Sequence, residues 1–263
     1  MITNKSPLVA LILIICFSSC EQVDNESIDC CLSPTFSVLG DSISSMQGYV
    51  PEGYPSCYPN DFYLAPESTW WLRFAILSGW SCIANSSYSG STIVTRPGRE
   101  DSCFISDNRI SALSTSTSTS TSTSEKPNYI IVLGGTNDWK LGVPFGDSNH
   151  LDNQTFCGAY RILLNKLADA YPKSNVICCS ILPRVNGIKT LNKANWSIEQ
   201  ANFEIEKMCI EVGAIYIDLT KCGLDNCFSC NTFDGLHPNA FGMALISDCL
   251  LKEINYLIAT NIL

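Results

Sequence analysis

Five short apolar runs punctuate the chain: Thr35 to Leu39, Ser81 to Ala84, Tyr129 to Leu133, Val176 to Leu182 and Ala214 to Leu219, each bounded by Gly, Pro, Asn or Asp. Runs of this length read as strands. Between them Phe156, Tyr160, Leu163, Leu167 and Tyr171 recur at steps of three and four, as do Ile198, Ala201, Ile205, Met208 and Val212. Both series read as amphipathic crossover helices. A last helix is expected from Pro238, a favoured first helical residue, with Phe241, Leu245, Cys249, Leu257 and Ile258 on its buried side. Strands alternating with helices imply an α/β fold, a five-stranded parallel sheet covered on both faces.

Two stretches break the pattern. Residues 114–124 are a strict Ser-Thr alternation with no apolar anchor, read as a surface loop leading into the third strand. Residues 45–67, rich in Tyr, Pro and Gly, directly follow the candidate nucleophile described below and are expected to wall its site.

With 263 residues and 46% hydrophobic composition, the chain can bury one full core, so a single domain from residue 34 to 263 is expected. The net charge of -9 argues against a surface built for nucleic acid or anionic lipid headgroups. Residues 1–19 carry Lys5, an apolar run from Leu8 to Phe17 and then Ser18 and Ser19, the layout of a signal peptide too short to remain as a membrane span. Phe17-Ser18-Ser19-Cys20 resembles a bacterial lipobox, which implies lipid attachment at Cys20, with polar residues 20–33 as a tether. The expected location is the cell envelope, with membrane contact only through that anchor; an ordinary cleaved secretory signal is the alternative.

Fifteen cysteines in an exported chain point first to disulfides. Cys222, Cys227 and Cys230 are spaced like part of a metal knuckle, but lack an evident fourth ligand. A local disulfide plus packing is the preferred reading, and no metal is expected.

The candidate chemistry begins where the first run ends, at Gly40-Asp41-Ser42. A serine at a strand-to-helix turn exposes its hydroxyl at the carboxyl edge of the sheet, where ligands of open α/β folds bind. Serine needs an adjacent base, and the base needs a partner that fixes its tautomer. Asp234-Gly235-Leu236-His237-Pro238 offers both from one loop, whereas the only other histidine, His150, has no carboxylate arrangement of this kind. Gly90 and Gly134-Gly135-Thr136-Asn137-Asp138 fall after the second and third strands. Backbone N–H groups of Ser42 and Gly90 and the Asn137 amide could form an oxyanion hole.

Taken in order, Gly40-Asp41-Ser42, Gly90, Gly135-Thr136-Asn137-Asp138 and Asp234-Gly235-Leu236-His237-Pro238 resemble the four signature blocks of the SGNH (GDSL-like) hydrolases. The resemblance implies Ser42 as nucleophile, His237 as base, Asp234 as its partner, and Ser42, Gly90 and Asn137 as oxyanion donors. It also implies a flavodoxin-like three-layer α/β/α sandwich and ester hydrolysis without metal or organic cofactor. Ile43 stands where the family name has Leu. Gly48-Tyr49-Val50-Pro51-Glu52-Gly53-Tyr54 with Trp70-Trp71 is similar to a branch of exported esterases from gut bacteria.

No Gly-x-Ser-x-Gly elbow, P-loop or dinucleotide fingerprint occurs. A monomeric esterase acting on a short ester of a carbohydrate is expected, with Asp41, Tyr49 and Trp139 as candidate substrate contacts. Lipase, lysophospholipase and thioesterase activities remain open alternatives, as does a glycan-binding lipoprotein without catalysis.

Overall fold

The computed structural model describes residues 33–59, 64–115 and 125–263. The expected signal segment, Cys20 and nearly all of the tether lie outside the described residues, as does most of the Ser-Thr run. The ends of that run meet in an isolated bridge between Thr115 and Glu125.

Strands β1 (Thr35–Gly40), β2 (Ser81–Asn85), β3 (Tyr129–Leu133), β4 (Asn175–Cys179) and β5 (Ile215–Ile217) pair in the order β2-β1-β3-β4-β5, every neighbour parallel. This is the flavodoxin-like order, whose reversal of winding leaves a crevice between the carboxyl ends of β1 and β3. The helices are α1 (Trp70–Ser78), α2 (Asp107–Ser111), α3 (Thr136–Leu141), α4 (Phe156–Ala170), α5 (Ile198–Val212), α6 (Phe228–Asn231) and α7 (Ala240–Ala259).

Alternation along the strands divides the core into two layers. On β3, Ile130 and Val132 join Phe156, Tyr160, Leu163 and Ile205 of α4 and α5 on one face. Ile131 and Leu133 face Trp70, Phe74, Met243, Ile246 and Leu250 of α1 and α7 on the other. Strand β4 divides likewise, Cys178 to the first layer and Ile177 and Cys179 to the second.

Helix α5 spans the expected residues because Ser197 and Gln200 close a reciprocal capping box at its start. Helix α7 differs from expectation. It begins at Ala240, because the Asn239 side chain accepts from the N–H groups of Phe241 and Gly242 while Pro238 is bridged to Thr232. Its buried face is Met243, Ile246, Leu250 and Ile254, whereas the expected Phe241 is 76% exposed. The helix is apolar around much of its circumference, so period alone admits two phases, and packing against α1 selects one.

The expected disulfide framework is also corrected. Among the described residues only Cys227 and Cys230 are bonded, and nine cysteines are free. Cys157, Cys178, Cys179 and Cys209 sit in the core as small apolar side chains. The three-cysteine cluster resolves into that one local disulfide and a buried Cys222 thiol.

Candidate active site

Strand β1 ends in a 3-10 turn over Ser42–Ser44, capped by Asp41, whose Oδ1 accepts the Ile43 N–H at 3.0 Å. Glycine is required just before it: a Cβ on Gly40 would stand 2.6 Å from Ser44 and Ser87 side-chain atoms. Ser42 begins the turn, where the backbone N–H has no acceptor within the helix. The residue is 4% exposed, so its hydroxyl meets a confined space.

The 232–238 segment reaches the same crevice. Ser42 Oγ lies 3.0 Å from His237 Nε2, and His237 Nδ1 lies 2.8 Å from Asp234 Oδ2. Asp234 Oδ1 accepts the N–H groups of His237 at 2.7 Å and Leu236 at 3.0 Å. Partial burial pushes the Asp234 carboxyl up, but the hydrogen bonds it accepts from His237 and Leu236 outweigh it and hold the group below its ordinary value. An ionised carboxylate can only accept, so Nδ1 carries the proton and Nε2 is left to accept from the Ser42 hydroxyl. The loop itself is held by Phe233 N–H on the His237 carbonyl at 2.9 Å and Gly235 N–H on Thr232 Oγ1 at 2.8 Å.

At the end of β3, Asn137 Nδ2 donates to the Ser91 carbonyl at 2.8 Å, which uses one of its two N–H groups. Gly90 has φ 79° in the turn closed by Ser91 N–H on the Tyr88 carbonyl, a conformation that favours glycine. Asp138, wholly buried, accepts the N–H groups of Ile93 at 2.9 Å and Val94 at 3.2 Å. Consecutive side chains of α3 thus staple the segment after Gly90 to the end of β3. Burial raises the Asp138 carboxyl to about 7 and the Asp41 carboxyl to about 6.

Arg109 has no counterpart in the expectations from sequence. Fully buried, it donates to the carbonyls of Gly40, Ser86 and Ser102 and lies 4.7 Å from the Phe104 ring centroid. Desolvation lowers its guanidinium to about 10. It braces the carboxyl ends of β1 and β2, and nothing in the unpatterned segment around it announces that role.

The expected wall is present where described. Tyr58 N–H donates to the Ser45 carbonyl at 3.2 Å and the Tyr58 carbonyl accepts the Gln47 N–H at 2.9 Å, Cys57 N–H donates to Ser45 Oγ at 2.8 Å, and the Tyr58 ring stands edge-on to His237 at 6.4 Å. Of the expected substrate contacts, Tyr49 is 40% exposed and leans on Trp71. Asp41 is buried and caps the nucleophile turn. Trp139 is 6% exposed, belongs to the core, donates to the Thr190 carbonyl and is covered by the Arg184 guanidinium. It therefore offers no open face to a sugar ring.

Solved structures share this fold. A GDSL-like lipase from Bacteroides ovatus is 23% identical, with TM-score 0.65 over 86% of this chain and 99% of that one. A GDSL-like lipase from Bacteroides uniformis is 24% identical, with TM-score 0.62 over 85% and 96%. An acetylxylan esterase from Geobacillus stearothermophilus, solved as a catalytic mutant, is 14% identical, with TM-score 0.56 over 84% and 94%. No curated relative matches the chain. Residues 34–254 match the family described as GDSL-like lipase/acylhydrolase, and with that span and this fold the chain belongs to that family of ester-hydrolysing enzymes.

Proposed function

We propose that the chain is a serine esterase in which Ser42 attacks the acyl carbon, His237 takes the serine proton and later delivers it to the departing alkoxide, and Asp234 holds the imidazole in the required tautomer. The observation that carries this reading is the continuous chain of hydrogen bonds from Ser42 Oγ through the His237 ring to Asp234. Attack converts the carbonyl oxygen to an oxyanion. The Ser42 and Gly90 N–H groups and the second N–H of Asn137 are the donors assigned to it, and such donors act mainly in the transition state. Water then attacks the acyl carbon as His237 takes its proton, and the bond to Ser42 Oγ breaks as His237 returns that proton to the serine and the acid departs. Every proton is handled by the protein's own groups, so no cofactor enters the scheme.

A short ester, acetate above all, on a carbohydrate is the preferred substrate. Tyr88 donates its N–H to the Gly40 carbonyl at 3.1 Å and its ring packs on Tyr54, so aromatic faces stand close to the nucleophile turn among Gly, Pro and Ser. Aromatic faces beside polar groups suit sugar rings. Among the structural neighbours, one is an acetylxylan esterase and another a family 3 carbohydrate esterase, which agrees with this choice. Treatment with a fluorophosphonate followed by peptide mass spectrometry should find the adduct on Ser42; an adduct on Ser44 or Ser91 defeats the assignment. Rates on acetate, butyrate and octanoate esters should fall in that order, and preference for octanoate would overturn the short-acyl reading.

A further inference from the structure

Arg184 lies in the loop after β4, between the two segments that frame Ser42. Its Nη1 donates to Thr136 Oγ1 at 3.1 Å and approaches the Thr136 carbonyl at 3.4 Å, next to Asn137 in sequence. The N–H of the following residue, Val185, donates to the Gly235 carbonyl at 3.0 Å, between Asp234 and His237. The guanidinium carbon stands 4.8 Å from the Trp139 ring centroid, so one plane of the fork is seated on the indole.

Among the described residues this cation has no counter-ion. The acid whose charge it feels is Asp234, and both oxygens of that carboxylate are already taken by the N–H groups of Leu236 and His237 and by the His237 ring. Desolvation accordingly lowers the Arg184 guanidinium from its ordinary value. The residue is 8% exposed. Its Nε is buried without a partner, and among the described residues Nη2 makes no hydrogen bond either.

Nε–H and Nη2–H form the side-on edge of a guanidinium, two parallel donors spaced to match the two oxygens of a carboxylate. In Arg184 the opposite corner and the face are anchored, and among the described residues this edge is left unpaired. A buried donor and an uncompensated charge both cost free energy, and an incoming carboxylate would relieve both. The net charge of -9 repels anions from the molecule as a whole, so preference for an anionic substrate would have to come from a local feature of this kind.

We propose that Arg184 is a specificity-determining residue that grips a carboxylate on the alcohol portion of the substrate, so that the preferred substrates are acyl esters of acidic sugars such as uronates. The alcohol side follows from the tie between Val185 and the loop of His237, the residue assigned to protonate the departing alkoxide. The inference rests on the carbohydrate-ester reading above and narrows it.

Acetylated methyl glucuronide and acetylated methyl glucoside differ only in a carboxylate against a hydroxymethyl group, and so isolate the proposed contact. The wild-type enzyme should show a KM at least tenfold lower for the glucuronide, with similar kcat, and the difference should shrink as salt is raised. R184Q should bring the KM ratio close to one. R184K, which keeps the charge but loses the fork, should give an intermediate ratio and decides the matter if R184Q does not fold. A wild-type ratio at or below one, or an unchanged ratio in the variants, overturns the proposal. Calorimetric binding of unacylated methyl glucuronide gives a readout independent of turnover. Should no acetate ester be hydrolysed, the esterase reading falls, and glucuronide bound no more tightly than glucoside would then overturn the role of Arg184 separately.

Discussion

Ser42 Oγ and His237 Nε2 lie 3.0 Å apart although 195 positions separate them in the chain. That contact is possible because β1 and the segment ahead of α7 both end at the carboxyl edge of the sheet, and its chemical value depends on what stands behind each partner. Asp234 stands behind His237, and the turn capped by Asp41 stands behind Ser42.

Replacing His237 by Ala should lower kcat/KM by on the order of 10³ or more, since among the described residues His237 is the base hydrogen-bonded to Ser42 Oγ. Asp234→Asn keeps the shape of the loop but lets the side chain donate toward Nδ1, which favours the wrong tautomer. Steady-state kinetics should show a large loss in kcat for this variant too. Near-wild-type kcat in Asp234→Asn would show that the pair does not work through tautomer control.

Asn137→Ala should reduce kcat by roughly 10² to 10³ with a smaller change in KM, as expected of a donor used in the transition state. Because the same amide holds the Ser91 carbonyl, thermal unfolding should be measured alongside. A loss expressed mainly in KM would assign Asn137 to ground-state binding.

Arg109→Met should be severely destabilising. It removes the side-chain donor from the carbonyls of Ser86 and Ser102 and leaves Gly40 with the Tyr88 N–H alone, a change of roughly 3–5 kcal/mol. For a domain of this size that lowers Tm by about 10 °C. A calorimetric Tm within two or three degrees of wild type, against that expected ~10 °C, would show that water takes over the bracing.

The buried carboxyls predict an unusual dependence of stability on pH. Asp41 and Asp138 have folded values of about 6 and about 7, above the ordinary carboxylate value they regain on unfolding. Between about pH 4 and those values the folded chain holds more protons than the unfolded chain, so these groups favour folding in acid and cease to do so as pH rises through 6 and 7. The contribution is on the order of a few kcal/mol. Unfolding of wild type and Asp138→Asn should be compared across pH 4 to 8. The wild type should lose stability relative to the variant up to about pH 7, and a pH-independent difference would rule the coupling out.

Much of this protein was legible in its sequence. Tyr129–Leu133 and Ile198–Val212 take the expected elements at the expected bounds, because an apolar run between turn residues and a Ser-Gln capping box are local signals. The residues now hydrogen-bonded to one another, Ser42, His237 and Asp234, could be read in advance as candidates because each lies in a short signature beside a strand end or a helix start. Other features depended on which surfaces meet in three dimensions. The phase of α7 was decided by α1, since a helix apolar on most sides carries no preferred face of its own. Cys157, Cys178, Cys179 and Cys209 became core atoms rather than parts of a disulfide framework, because pairing depends on distances between elements remote in sequence. Trp139 passed from an expected sugar platform to the seat of Arg184, and Arg109 and Arg184 were silent in the sequence altogether. Their roles arise from carbonyls, a ring and an unpaired edge supplied by segments that only the folded sheet brings together.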